Sequence, residues 1–137
     1  LVPGLDLELE KKVQSIVRGL IQKRLIKSAN DCSLGGLLVT LCESAFQNDL
    51  GFKLQTTSHQ QDNIRLDSML FGESQSRIII SIDKNNQQEV ENYLKENDCP
   101  CQILGEVTNG QIKINEIKSN IKELKENWEA ALPKLLS

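Results

Sequence analysis

The stretch Lys27-Ser28-Ala29-Asn30-Asp31-Cys32-Ser33-Leu34-Gly35-Gly36-Leu37-Leu38-Val39-Thr40-Leu41 decides how the chain is read. It is a strand end, a tight glycine turn and the first turns of an apolar helix. Gly35 and Gly36 permit backbone angles and close approaches that are closed to other residues. Asp31 and Ser33 are of the types that cap turns and helix starts. Amides at a helix start point outward with the positive end of the helix dipole, a natural seat for a phosphate or carboxylate. The same two glycines also serve a plainer purpose, letting a helix pack tightly on a sheet. The motif alone leaves both readings open.

Upstream, Leu1 to Leu5 forms a linker punctuated by Pro3-Gly4, and Asp6 is placed to cap a helix. Val13, Ile16, Val17, Leu20, Ile21 and Leu25 recur at helical spacing, which predicts an amphipathic helix to about Arg24. Leu25 to Asn30 is short and extended. Downstream, Leu37, Leu38, Leu41, Cys42, Ala45 and Phe46 give one broad apolar face, so a second helix is expected from Gly35 to Asn48. Asn48-Asp49-Leu50-Gly51 ends it. Phe52 to Thr56 alternates like a strand with one wet face.

Thr57 to Asn63 is a polar loop, and Ile64 to Phe71 suits a short helix. Leu70 to Arg77 is a polar turn feeding Ile78-Ile79-Ile80-Ser81-Ile82. That β-branched run suits a central strand buried on both faces. Asn85 to Asn97 is a third helix with Val90, Tyr93 and Leu94 inward. Gln102 to Thr108 and Gln111 to Ile114 are strands, and Asn109-Gly110 between them is a hairpin signal. Ile117 to Leu132 is a final helix stopped near Pro133, anchored by Trp128 and Leu132. The pattern predicts an α+β domain, a mixed sheet of about four strands with helices packed on it, over residues 6–137.

The chain has 137 residues, enough for one core. A net charge of −3 and only three Phe, one Tyr and one Trp argue against a nucleic-acid surface. No apolar run is long enough to span a membrane. The start at Leu1 suggests a processed chain or an excised piece. Of four cysteines, only Cys99-Pro100-Cys101 is closely spaced, and the single histidine, His59, lies far from it; this argues against zinc and for free thiols in a cytoplasmic protein.

No Ser-His-Asp order, H-E-x-x-H or phosphate-loop signature is present, and His59 in a polar loop is a poor general base. No catalytic or metal-ligating residue is therefore expected. Two polar turns remain as ligand-binding candidates: Asp31, Ser33, Gly35 and Gly36 in one, and Glu73, Ser74 and Gln75 in the other. The second offers donors and acceptors to a ligand, or simply caps the strand that follows.

Together these turns resemble a known family. Asn30 to Glu43 is similar to the pattern His-Asp-x-Ser-Asp-Gly-Gly-Leu-x-Val-x-Leu-x-Glu, and Leu70 to Arg77 to Leu-Phe-Gly-Glu-Ser-Gln-x-Arg. Leu104-Gly105-Glu106-Val107-Thr108 and a closing helix with Trp128 continue the order. This is the pattern of the phosphoribosylformylglycinamidine synthases, in the last, AIR-synthetase C-terminal-type domain of their synthetase subunit. The resemblance implies membership of an ATP- and Mg²⁺-dependent ligase of purine synthesis that converts formylglycinamide ribonucleotide to the amidine. It implies upstream domains, a glutaminase and small accessory subunits as partners, with nucleotide and Mg²⁺ ligands mostly in a domain type absent here. No cofactor is expected tightly bound to this chain, and alone it is expected to be catalytically silent, a scaffold or an auxiliary nucleotide site. A helix or sheet face that packs on an upstream domain would be left bare here and would favour a homodimer. Two positions depart from the pattern: Leu34 replaces an acid and Asn30 a histidine. Rival readings are another member of the superfamily, such as AIR synthetase or selenophosphate synthetase, and a stand-alone ligand-binding or interaction domain.

Overall fold

A computed structural model describes residues 6–54 and 65–136. His59, the linker Leu1 to Leu5, the loop Thr57 to Asn63 and the ends of two expected elements lie outside them. The amphipathic spacing upstream folds as helix α1 (Leu7–Gln22). Its start is capped as the sequence predicts: the Asp6 carboxylate accepts from the amides of Glu8 and Leu9 at 3.1 and 3.0 Å. Next come β1 (Ser28–Asp31), α2 (Gly36–Phe46), β2 (Gly51–Leu54), α3 (Leu66–Phe71) and β3 (Ile78–Ser81). A 3₁₀ turn (Lys84–Asn86) leads into α4 (Gln87–Glu96), followed by β4 (Gly105–Thr108), β5 (Gln111–Ile114), β6 (Ile117–Asn120) and α5 (Ile121–Leu136). The fold is α+β, with a mixed four-stranded sheet and a separate two-stranded one.

The chain divides into two compact units, each made of two stretches of sequence: Leu1–Thr40 with Phe71–Ile103, and Leu41–Leu70 with Leu104–Ser137. The first contains α1, α4 and the β1–β3 pair. Its core is Ile16, Leu20, Leu25, Val90 and Leu94, with Ile26, Ile80, Ile82, Tyr93 and Cys99 packed against them. Burying each such side chain is worth about 1.5–3 kcal/mol. The two helices end alike. Arg24 (φ 57) and Asp98 (φ 49) take the left-handed conformation. The following amides, of Leu25 and Cys99, reach back to the carbonyls of Leu20 and Leu94 at 3.1 and 2.9 Å. This closes orphan helix carbonyls and folds Leu25 and Cys99 back onto the core.

The second unit holds the sheet, in strand order β4-β2-β5-β6 with β2 and β5 parallel and the other pairs antiparallel. The register puts Phe52 beside Val107 and Ile112, and Leu54 beside Ile114, on one face. Phe52, Leu54, Ile112 and Ile114 are buried. Lys53, Glu106, Lys113 and Lys118 share the opposite, exposed face, the period of two expected of a half-wet sheet. The Lys125 ammonium donates to the Phe46 carbonyl at 2.9 Å and lies 3.6 Å from Asp49, placing a cation at the negative end of α2.

The structure corrects five expectations. Ile78 to Ile82 is not a doubly buried central strand: β3 pairs only with β1 among the described residues, and its side chains are half-buried. A β-branched run reports extended backbone, not the number of neighbours. Asn109-Gly110 is a turn but not a hairpin, because β2 lies between the strands it joins. Gly51 explains this: a Cβ there would fall on the Gln111 backbone, so only glycine lets the link pass over the start of β2. The hairpin lies one strand later, between β5 and β6 around Asn115-Glu116, which takes Ile117 to Asn120 from the expected final helix. That helix continues through Pro133 to Leu136. Its anchor is the fully buried Ile121; Trp128, though in contact with the Phe46 ring at 6.4 Å, is 55% exposed and Leu132 is 68% exposed.

Candidate functional site

The two motif turns, 38 residues apart in sequence, meet in the first unit. β1 pairs Asp31 with Ile78, and the Cys32 amide extends the ladder to the Arg77 carbonyl at 2.9 Å. This brings Ser33–Gly36 alongside Phe71–Arg77. Gly35 (φ 80) and Gly36 (φ 69) both lie in the left-handed region. A Cβ on Gly36 would sit 2.7 Å from the Phe71 carbonyl carbon and 2.8 Å from the Gly72 oxygen. The second glycine is therefore required by the backbone passing over it. The Gly36 amide donates to the Ser33 carbonyl at 3.1 Å, and the Thr40 hydroxyl, buried, donates to the Gly36 carbonyl at 3.0 Å.

The Glu73 carboxylate accepts from the Gly35 amide at 2.8 Å. Its negative charge stands at the start of α2, where the helix dipole favours it. The glycine pair thus allows close packing under the second turn, and its first amide holds a carboxylate that belongs to the chain itself.

The rest of the second turn divides by where its groups point. Arg77 donates to the Gly72 carbonyl at 3.0 Å and closes the turn. Ser76 (φ 61) donates to Glu10 of α1 at 2.5 Å. Glu10 also accepts from Gln14 at 2.6 Å. These two hydrogen bonds, Ser76 first, hold the Glu10 carboxyl below its ordinary value. Glu73, Ser76 and Arg77 are thereby committed within the fold. Ser74 and Gln75 are exposed and take no hydrogen-bond partner among the described residues, and the side chains of Asp31 and Ser33 are likewise exposed. Leu34, between the two turns' polar groups, is 83% exposed.

Of the seven candidates, Gly35 and Glu73 meet in one hydrogen bond and Gly36 packs under Phe71 and Gly72, while the side chains of Asp31, Ser33, Ser74 and Gln75 are exposed. The sequence reading did not assign the tie from Glu10 to Ser76. Sixty-six residues separate them, and a glutamate on a helix carries no signal of such a partner.

Cys32 is buried, and burial pushes its thiol up despite the opposing charge of Arg77. Burial likewise pushes Cys42 up to about 11. Among the described residues no group of three His, Cys, Asp or Glu could hold a metal ion, and no helix is long and apolar enough to cross a membrane. The outward set can donate to and accept from hydroxyl, amide or phosphate oxygens, which is binding chemistry.

Known proteins show the same architecture. The chain is 35% identical over 140 residues to the phosphoribosylformylglycinamidine synthase subunit PurL of Methanocaldococcus jannaschii, covering 98% of this chain and 19% of that protein. It is 37% identical over 131 residues to the PurL of Thermomicrobium roseum, covering 95% of this chain and 18% of the relative. The chain thus spans about a fifth of the length of the relatives it matches. The crystal structure of phosphoribosylformylglycinamidine synthase II from Thermotoga maritima superposes with a TM-score of 0.76 at 15% identity, over 89% of this chain and 22% of that one. The same organism's PurL complexed with ATP, and its PurLQS assembly, match at 0.71 and 0.72. Residues 2–116 match the family described as AIR synthase related protein, C-terminal domain. With its glycine turn, its Glu-Ser-Gln turn and its α+β architecture all in place, the chain belongs to that family of AIR synthase related C-terminal domains.

Proposed function

We propose that this chain serves as the closing domain of an ATP-dependent phosphoribosylformylglycinamidine synthase of purine synthesis, acting there as a scaffold and having no turnover of its own. The observation that carries this reading is the Glu73 carboxylate on the Gly35 amide. A seat filled by the chain's own side chain is structural. The sequence relatives named as PurL support the assignment to the synthase. ATP and Mg²⁺ belong, in this reading, to the upstream domains, and the wider partners are the glutaminase and small accessory subunits suggested by the T. maritima PurLQS assembly. Localisation in the cytoplasm follows from the pathway.

A second reading, an auxiliary nucleotide site, is favoured by the outward Ser74 and Gln75, which take no hydrogen-bond partner among the described residues. Leu34 weighs against it, because an exposed apolar side chain replaces an acceptor beside the turn.

The test has two parts. The purified chain is assayed for ATP hydrolysis and for amidine formation; turnover above the blank would overturn the scaffold reading. In the full synthetase, Ser74→Ala and Gln75→Ala are expected to leave KM for each substrate unchanged. A rise in KM with kcat preserved would establish the auxiliary site instead.

A further inference from the structure

The pair Cys99-Pro100-Cys101 lies in the first unit, immediately beyond the α4 cap. The cap fixes where it starts, because Asp98 is left-handed and the Cys99 amide is bound to the Leu94 carbonyl at 2.9 Å. Pro100 fixes its own φ near −65° and confines Cys99 to extended backbone. The two thiols therefore spring from a short, restrained segment. Cys99 is half-buried against the Leu20–Leu94 core, while Cys101 is exposed. The Lys12 ammonium is anchored at this corner, 2.7 Å from the Asp98 carbonyl and 3.4 Å from its carboxylate. Burial pushes the Cys99 thiol up, as do the neighbouring Cys101 and Asp98, against the opposing charge of Lys12.

We propose that Cys99 and Cys101 form a dithiol site for a soft, thiophilic centre that takes two sulfur ligands, such as a trivalent organoarsenical or a monovalent d¹⁰ metal ion. Thiolate ligands select such centres, and no cluster of three His, Cys, Asp or Glu among the described residues would offer a harder ion its coordination sphere. The other two cysteines do not make such a pair: Cys32 is buried, and neither Cys32 nor Cys42 has a second cysteine within two residues of it in the sequence. With phenylarsine oxide in its hydrated form, two S–H and two As–O bonds break, two As–S bonds form and two waters leave. Oxidation states do not change. Because Cys99 packs on the core, capture draws its sulfur toward Cys101 and loosens the end of α4.

The experiment titrates the native 137-residue chain with phenylarsine oxide in excess monothiol, removes the monothiol by gel filtration and then counts the remaining accessible thiols with a chromogenic disulfide. Wild type is expected to lose two thiols per equivalent. Cys101→Ser, at an exposed position that folding does not need, is expected to require roughly a hundredfold more reagent, the loss of chelation. Cys99→Ser should match it. The proposal is overturned if Cys101→Ser titrates like wild type, or if the loss of two thiols persists in the double variant, which would place the reaction at Cys32 and Cys42.

Discussion

In the first unit, beside the backbone crossing at Gly36, distant parts of the chain are tied by side chains: Glu73 to the Gly35 amide and Ser76 to Glu10. In the second, the tightest junctions are backbone against backbone. Gly51 lies under the Gln111 backbone, and Gly105 lies against the Lys53 carbonyl. The first kind of junction needs particular polar residues in a particular order, so it leaves a motif. The second needs only the absence of a side chain, and a lone glycine says little about what passes over it. A side-chain tie can be lost for about one hydrogen bond, whereas a backbone crossing resists any added atom.

That contrast can be broken most forcefully at Gly51. Gly51→Ala is expected to cost about 4 kcal/mol or more, because neither colliding backbone can step aside in the sheet. Chemical denaturation measures it, and a loss under about 1 kcal/mol would mean the crossing is loose. Gly36→Ala should follow at about 2–4 kcal/mol, combining the 2.7 Å approach to Phe71 with a left-handed φ. Glu73→Ala should cost only about 1 kcal/mol, since its tie to Gly35 is exposed to solvent. A loss as large as that for Gly36→Ala would erase the distinction between the two kinds of junction. Arg24→Gly should stabilise by about 0.5–1 kcal/mol by relieving a non-glycine left-handed cap, provided the arginine stem contributes little packing. Acidification gives the smallest effect. The folded Glu10 carboxyl titrates below its ordinary 4.5, so its contribution is present above that value and fades as pH falls through the depressed one. Ser76→Ala should flatten this part of the acid limb; an unchanged limb would show that the Ser76 tie does not set it.

The first unit was largely legible in the sequence. Asp6 announced the cap of α1, helical spacing named Val13, Ile16, Val17, Leu20, Ile21 and Leu25, of which Val13, Ile16, Leu20 and Leu25 are buried and Ile21 is exposed, and the two turns matched a family pattern whose members share this architecture. The second unit was legible in its strands but not in their order. Asn109-Gly110 carries the chemistry of a hairpin turn and is a turn, yet nothing local records that β2 is inserted beneath it. Pro133 misled for a related reason: a proline costs a helix one hydrogen bond and a clash with the preceding turn, and α5 carries one within its exposed last turns. The candidate site was found as a set of residues, but the division into committed and outward groups was not. Glu73, Ser74 and Gln75 are adjacent and polar alike; only the position of the Gly35 amide separates the first from the others.

The insertion of β2 between β4 and β5 also bears on how the protein comes into being. When a ribosome has delivered Phe52 and Leu54, both strands that will flank them, beginning at Gly105 and Gln111, are still some fifty residues from emergence. Closing so long a loop delays the reward of pairing. Until then a strand with a water-averse face waits without neighbours, and the Thr108–Gln111 link can close only after that strand has taken its place. The second unit is therefore expected to form late and all at once, and the nascent chain is most exposed to mispairing at Phe52 and Leu54.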